Sequence, residues 1–270
     1  MLLLALCVAL AGQVVPLPQA HSHNDFLRSR PLLDALDHGF CSVEADIFRV
    51  GDALLVAHGR ATLRPTRTLE ALYLDPLRAR VRANGGRVHP GGPPFILLID
   101  IKEQGAEVYE RLREVLARYR DMLTEVRDGV VTERAVTVVI SGDRPREQIL
   151  ADRTRHAAID GRLEDLESTL PVHAMPLLSD NWPSHFRWRG EGPMPEEERR
   201  KLRGIVERAH SAGRRVRFWA IPHSEAVWEE LLAAGVDLLN VNLLPRLRDF
   251  LLARRERAQG AGGSAGDRGE

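Results

Sequence analysis

Residues 20–26 read AHSHNDF, which places two histidines, an asparagine and an aspartate within seven positions. Such a cluster can bind a metal, pass protons or close a polar turn. Three later stretches narrow the choice. SVEADIF puts Glu44 and Asp46 two residues apart, FILLIDIK does the same with Asp100 and Lys102, and LLVAHG brings in His58. Alternate residues of a strand face the same side, so each pair shares a face. Carboxylates inside apolar strands are costly unless paired or metal-bound. Two on one face also repel each other, and a cation between them removes that penalty. Asn24, Glu44, Asp46 and Asp100 form an all-oxygen set that suits one divalent cation, Mg²⁺ or Ca²⁺, rather than zinc. Ion pairing to arginine is the plain structural alternative for the Glu44/Asp46 pair. Histidine titrates near neutrality, so His23 and His58 at separate strand ends form an acid/base couple. His38, His89, His156, His185 and His210 lack such company and read as ordinary polar residues.

These residues need a frame that gathers strand ends. Apolar or β-rich runs occur at Val14–Ala20, Cys41–Phe48, Phe95–Ile101, Ala135–Ser141, Ala157–Asp160, Ala174–Leu178, Arg215–Ile221 and Val236–Val241. A ninth, Ala53–Ala57, reads as the return arm of a hairpin turning at Gly51-Asp52. Helical patterns lie between them at Arg30–His38, Gly105–Arg120, Pro195–Ala212, Ser224–Ala234 and Pro245–Arg257. Several end on glycine, and the Pro195–Ala212 stretch opens with acids and continues into arginines, as the helix dipole favours. Eight strands alternating with helices predict an α/β fold, a (β/α)₈ TIM barrel, with a doubly wound sheet as the alternative. In a barrel, the groups above fall at the C-terminal ends of the strands, where such folds carry their chemistry.

The chain has 270 residues with 38 basic and 38 acidic side chains, so its formal charge is zero. That excludes the basic footprint of a nucleic-acid binder. Only Lys102 and Lys201 are lysines, which sets Lys102 apart in an arginine-rich chain. The apolar opening MLLLALCVALAGQ is too short to span a membrane and reads as a signal peptide over 1–11, implying export. The barrel domain is expected over 14–257. The Gly/Ala/Ser-rich end, 258–270, is expected to be a disordered tail, and the chain a monomer. With Cys7 inside the signal segment, Cys41 is left without an intramolecular partner and reads as a buried thiol.

The combined motifs resemble the phosphatidylinositol phospholipase C-like superfamily, which includes the glycerophosphodiester phosphodiesterases. The carrying residues are SHNDF, the Glu44-x-Asp46 pair, His58 and Asp100-x-Lys102. The wording HSHNDF…RPLLDALDHGFCSVEADIF is similar to the altered-inheritance-of-mitochondria branch. Arg217-Phe218-Trp219 and GVDLLNVNL resemble its closing strands, except that Asn242 stands where an aspartate is usual. The resemblance implies a TIM barrel and a metal-dependent phosphoric diester hydrolase. It further implies catalytic His23 and His58, metal contacts from Asn24, Glu44, Asp46 and Asp100, and substrate contacts from Lys102 and Trp219. Spacing to Glu44 and the following Asn favour His23 as the catalytic imidazole. A His-x-x-Asn pattern favours His21, which otherwise becomes an orienting or substrate-binding group.

The implied substrate is a small-molecule or lipid phosphodiester. Two other readings start from the same letters. His-x-His at a first strand end also marks binuclear zinc hydrolases of the amidohydrolase type, although those end strand eight with an aspartate. A non-catalytic barrel that binds lipid headgroups or sugars is the second.

Overall fold

The structure, a computed structural model, describes residues 14–263. The expected signal segment, 1–11, lies outside the described residues. Among the described residues twelve strands run in chain order: β1 Leu17–Ser22, β2 Phe40–Val50, β3 Ala53–Val56, β4 Phe95–Ile101, β5 Glu125–Arg127, β6 Val130–Thr132, β7 Val136–Gly142, β8 Thr154–Arg155, β9 Ala157–Gly161, β10 Leu177–Asn181, β11 Arg215–Trp219 and β12 Leu238–Val241. The α-helices are α1 Leu33–Asp37, α2 Asp75–Ala83, α3 Gly105–Ala117, α4 Arg146–Ala151, α5 Trp182–His185, α6 Glu196–Ser211, α7 Glu225–Ala233 and α8 Leu244–Gly263.

Eight parallel strands pair in the order β1-β12-β11-β10-β9-β7-β4-β2, and β1 also pairs with β2, which closes the barrel. The chain is a (β/α)₈ TIM barrel. β3 adds to β2 as the antiparallel arm expected from the Gly51-Asp52 turn, with Ile47 opposite Val56. β5, β6 and β8 make a separate small sheet that no sequence pattern announced; its strands are only two or three residues long, too short to show a period. The last helix runs on to Gly263, so residues 258–263 continue the helix rather than begin the expected tail. Once Leu247, Phe250 and Leu251 anchor that helix against the core, further turns propagate without a new nucleus. Residues 264–270 lie outside the described ones. Among the described residues no helix is long and apolar enough to cross a membrane.

The barrel interior is layered by the two-residue strand period. Ile96, Leu98, Val139, Leu177 and Leu238 form a small apolar cluster apart from the main core. Further toward the strand C-terminal ends, polar groups take over: Ser141, Ser179 and Asn240 two residues past Val139, Leu177 and Leu238, with Asp160 from β9, Arg217 from β11, and His21, Ser42 and Glu44 from β1 and β2, all buried. The larger apolar core lies outside the barrel, under the helices, built from residues of opposite parity such as Val43, Ala45, Leu97, Ile99, Val138 and Ile140.

Candidate active site

β2 and β4 run in register with Asp46 opposite Asp100, so the carboxylates of the two sequence pairs come together. One oxygen from each of Glu44, Asp46 and Asp100 lies within 4.8 Å of the others. Lys102 follows β4 and sets its Nζ 3.1 Å from Asp46 Oδ2 and 3.3 Å from Asp100 Oδ1. Burial works against the Lys102 ammonium, but the charges of Asp46 and Asp100 raise its pKa overall. Burial and the nearby Glu44 push Asp46 up to about 7, and burial also raises Asp100. Asp46 Oδ1 is buried without a hydrogen-bond partner. A clustered, mutually repelling set of hard oxygen donors with one orphaned atom fits a divalent cation.

Gly142 makes room for this arrangement. Its φ of 71° is left-handed, and a Cβ there would stand 2.4 Å from Asp100 Oδ1. A side chain at this position would displace the carboxylate.

The hairpin returns His58 to the same spot. Its Nδ1 lies 3.0 Å from Asp46 Oδ2, and its ring stacks over Phe26 at 6.2 Å. His23 stands across the cluster, with Nε2 3.9 Å from Glu44 Oε1 and Nδ1 3.0 Å from Asn242 Oδ1. Both imidazoles therefore present Nδ1 to an oxygen acceptor, which leaves Nε2 for other work. Asn24 sits at φ 49° beside them, its Nδ2 3.2 Å from His23 Nδ1. One ring nitrogen cannot donate to Asn242 and accept from Asn24 at once, so a single tautomer keeps only one of these contacts.

His21 is different from His23. It is fully buried, its Nδ1 is 2.7 Å from Ser42 Oγ, and its Nε2 accepts from Arg217 at 3.1 Å. Burial, followed by the charge of Arg217, pushes its pKa down to about 4. With both nitrogens engaged below the mouth, His21 is placed as an internal support. The extended chain from His21 to His23 carries the second imidazole toward the rim and leaves His21, expected as an orienting or substrate-binding group, in the buried layer. The same engagement leaves one histidine of the His-x-His pair for a metal, against the two that a binuclear zinc site requires.

Asp25, the last ionisable group of the opening motif, is a structural bracket. Its carboxylate accepts from Ser22 Oγ at 2.8 Å, Tyr73 Oη at 3.0 Å and the Leu32 N–H at 2.5 Å. These bonds fix the loop that carries His23.

Arg217 is the largest group that sequence reasoning missed. Its guanidinium is buried in the barrel, donating to Glu44 Oε2 at 3.2 Å, Asn240 Oδ1 at 2.9 Å and Ser179 Oγ at 3.0 Å. Burial alone would raise the Glu44 carboxyl; contact with His21 and the charge of Arg217 outweigh it and hold that carboxyl far below the usual range. The arginine alternative is thus realised at Glu44, while Asp46 and Asp100 share Lys102. The available signal was parity, since Arg217 and Trp219 share a face in RVRFW. Trp219 is partly exposed and carries Arg162 on its ring at 4.9 Å.

Residues 8–159 match the AIM6-like phosphodiesterase domain, more than half of the chain. The chain belongs to this family. The matched segment holds both histidines, the three carboxylates and Lys102; Arg217, Trp219 and Asn242 lie beyond it. Altered inheritance of mitochondria protein 6 from Eremothecium gossypii is 28% identical, covering 89% of this chain and 71% of its own. Its homolog from Arthroderma benhamiae is 28% identical, over 85% and 82%. A glycerophosphodiester phosphodiesterase from Parabacteroides distasonis has a TM-score of 0.54 at 13% identity, covering 90% of this chain and all of that one. A calcium-dependent phosphoinositol-specific phospholipase C from Pseudomonas sp gives 0.56 at 12% identity, over 83% and 88%. At such identities these two structures share the fold. Family and fold together make this a phosphodiesterase-type barrel.

Proposed function

We propose that this chain hydrolyses phosphoric diesters of the glycerophosphodiester or phospholipid-headgroup class, using His23 and His58 as its acid/base pair. The observation that carries the reading is the placement of two imidazoles, each anchored at Nδ1, on either side of three clustered carboxylates. Glu44, Asp46 and Asp100, with Asn24 beside them, would hold one divalent cation, Mg²⁺ or Ca²⁺. When bound, that cation supplies charge to offset what builds on the phosphoryl oxygens. Lys102 adds a second positive charge for the same oxygens.

The protons then move between imidazoles. One of the two Nε2 atoms accepts a proton from the attacking water, and the other protonates the departing alkoxide. His58 is the more open of the two, with 67% of its side chain exposed against 27% for His23. Burial of His21, Ser42 and Arg217 beneath the mouth keeps Glu44 in place during the cycle. The neutral fit of a lipid-binding or sugar-binding barrel does not require paired imidazoles above carboxylates, and the phosphodiesterase reading uses every one of them.

Bis-(p-nitrophenyl) phosphate turnover tests the proposal. The wild-type chain should cleave it, EDTA should suppress the rate, and His23→Ala or His58→Ala should remove it by a factor of about 10² or more. Unchanged rates in both variants, with circular dichroism showing intact folds, would sink the assignment.

A further inference from the structure

The barrel mouth has two halves. Carboxylates and histidines occupy the ends of β1, β2, β3 and β4, with the carboxamide of Asn242 after β12. Guanidiniums occupy the ends of β7 and β9, where Arg144, Arg146 and Arg162 gather beside Arg217. Arg146 is paired in a fork with Asp165 at 2.8 and 3.1 Å. Arg162 is paired with Asp160 at 3.0 Å and lies on Trp219. Arg217 is paired with Glu44. Arg144 makes no ion pair among the described residues. Its Nη1 donates only to the Gly142 carbonyl at 3.2 Å, and its Nε–H is buried without an acceptor. Asp143, the adjacent acid, accepts from the Gly105 N–H instead. Asp180 is taken by His185 at 3.2 Å.

A half-buried guanidinium with no ion-pair partner, next to a second guanidinium, is costly, and the more distant charges of Asp160 and Asp165 offset only part of that cost. Burial and then the charge of Arg162 lower the Arg144 pKa, which reflects that cost. An anion lying between the two would remove it, and would give the Nε–H an acceptor if Arg144 turned toward it. The fork of an arginine matches a phosphate monoester well. Position adds to the case. Ile101 pairs with Gly142, so Arg144 stands just past the end of the strand adjoining Asp100 and Lys102, one strand around from the carboxylate cluster.

The geometry points to Arg144, supported by Arg162, as the receptor for a second phosphate on the substrate, a monoester carried beside the scissile diester. This rests on the phosphodiesterase reading and narrows it to diesters with a further anionic group.

The test compares glycerophosphoglycerol with its terminal phosphomonoester. Affinities are measured by calorimetry on the His23→Ala chain, so binding is read apart from turnover, while rates are measured on the otherwise wild-type chain. The phosphorylated probe should bind about ten-fold or more tightly than the plain one. Adding Arg144→Gln should bring the ratio close to one, while Arg144→Lys should keep part of it and shows that the fold tolerates change here. Equal affinities with Arg144 present, or a preference that survives Arg144→Gln, would overturn the proposal. Binding preference without any turnover would reject the hydrolase reading and leave the anion site standing; turnover of both probes without preference would do the reverse.

Discussion

Arg217→Met probes the polar layer most directly. Methionine keeps much of the buried volume and removes all five N–H donors. Glu44, His21, Asn240 and Ser179 each lose a partner. Glu44 is then a buried carboxylate without its counter-charge, and Asp160, whose Oδ2 lies 3.7 Å from the guanidinium, loses a neighbour too. Removing one member of a buried ion pair costs about 3–5 kcal/mol. With a urea slope of about 3 kcal/mol per molar, the upper end for small proteins, the midpoint should fall by roughly 1–1.7 M at pH 7. The sign with pH follows from Glu44. Its carboxyl is depressed in the folded chain, so it contributes stability that is present above the ordinary value of 4.5 and lost as pH falls through the folded value. Arg217→Met forfeits that contribution, so the gap between the two proteins should narrow on acidification below about pH 4.5. Urea melts followed by circular dichroism at pH 7 and pH 4, in EDTA, measure both effects. Adding millimolar Mg²⁺ or Ca²⁺ at pH 7 should offset part of the deficit, because a cation at the carboxylate cluster supplies charge beside Glu44. A deficit below about 1 kcal/mol in EDTA, against the 3–5 expected, would refute the reasoning. A gap that widens in acid would refute it equally.

Two further substitutions test the arrangement above that layer. Gly142→Ala places a methyl at a left-handed φ and against Asp100 Oδ1; it should cost more than about 1 kcal/mol in the same melts and weaken cation binding by calorimetry, and an unaltered affinity would show that Asp100 is free to move aside. Asn242→Asp sets a carboxylate against His23 Nδ1, so one limb of the rate profile, the acid one if His23 is the base and the alkaline one if it is the acid, should move up by about one pH unit or more; two unmoved limbs would remove His23 from the rate-determining proton transfers.

The barrel was legible because its strands carry two independent signals. Runs such as FILLIDI and VTVVISG are apolar enough for buried parallel strands, and glycine-terminated helices separate them. The site was legible on β2 and β4 for a related reason. An acid within an apolar strand is an anomaly that needs a cause, and two such acids at a spacing of two share a face. Short pieces escaped. α4 has six residues and β8 has two, and neither is long enough for periodicity to declare it.

Arg217 escaped for a different reason. In an arginine-rich chain, RVRFW offers two arginines of the same parity, one exposed at the barrel base and one buried inside it. Nothing local distinguishes them. What decides is closure of the barrel, which brings β11 across from β2 and leaves Glu44 a partner that is 173 positions away in sequence. Asn242 shows the converse. As a letter it departs from the closing pattern that the sequence resemblance implies. In space it does what the position demands, since His23 Nδ1 needs an acceptor oxygen and a carboxamide provides one at 3.0 Å. The departure removes a negative charge without removing the hydrogen bond. It therefore bears on the charge that His23 faces rather than on where its ring stands, and the rate profile of Asn242→Asp reads that difference directly.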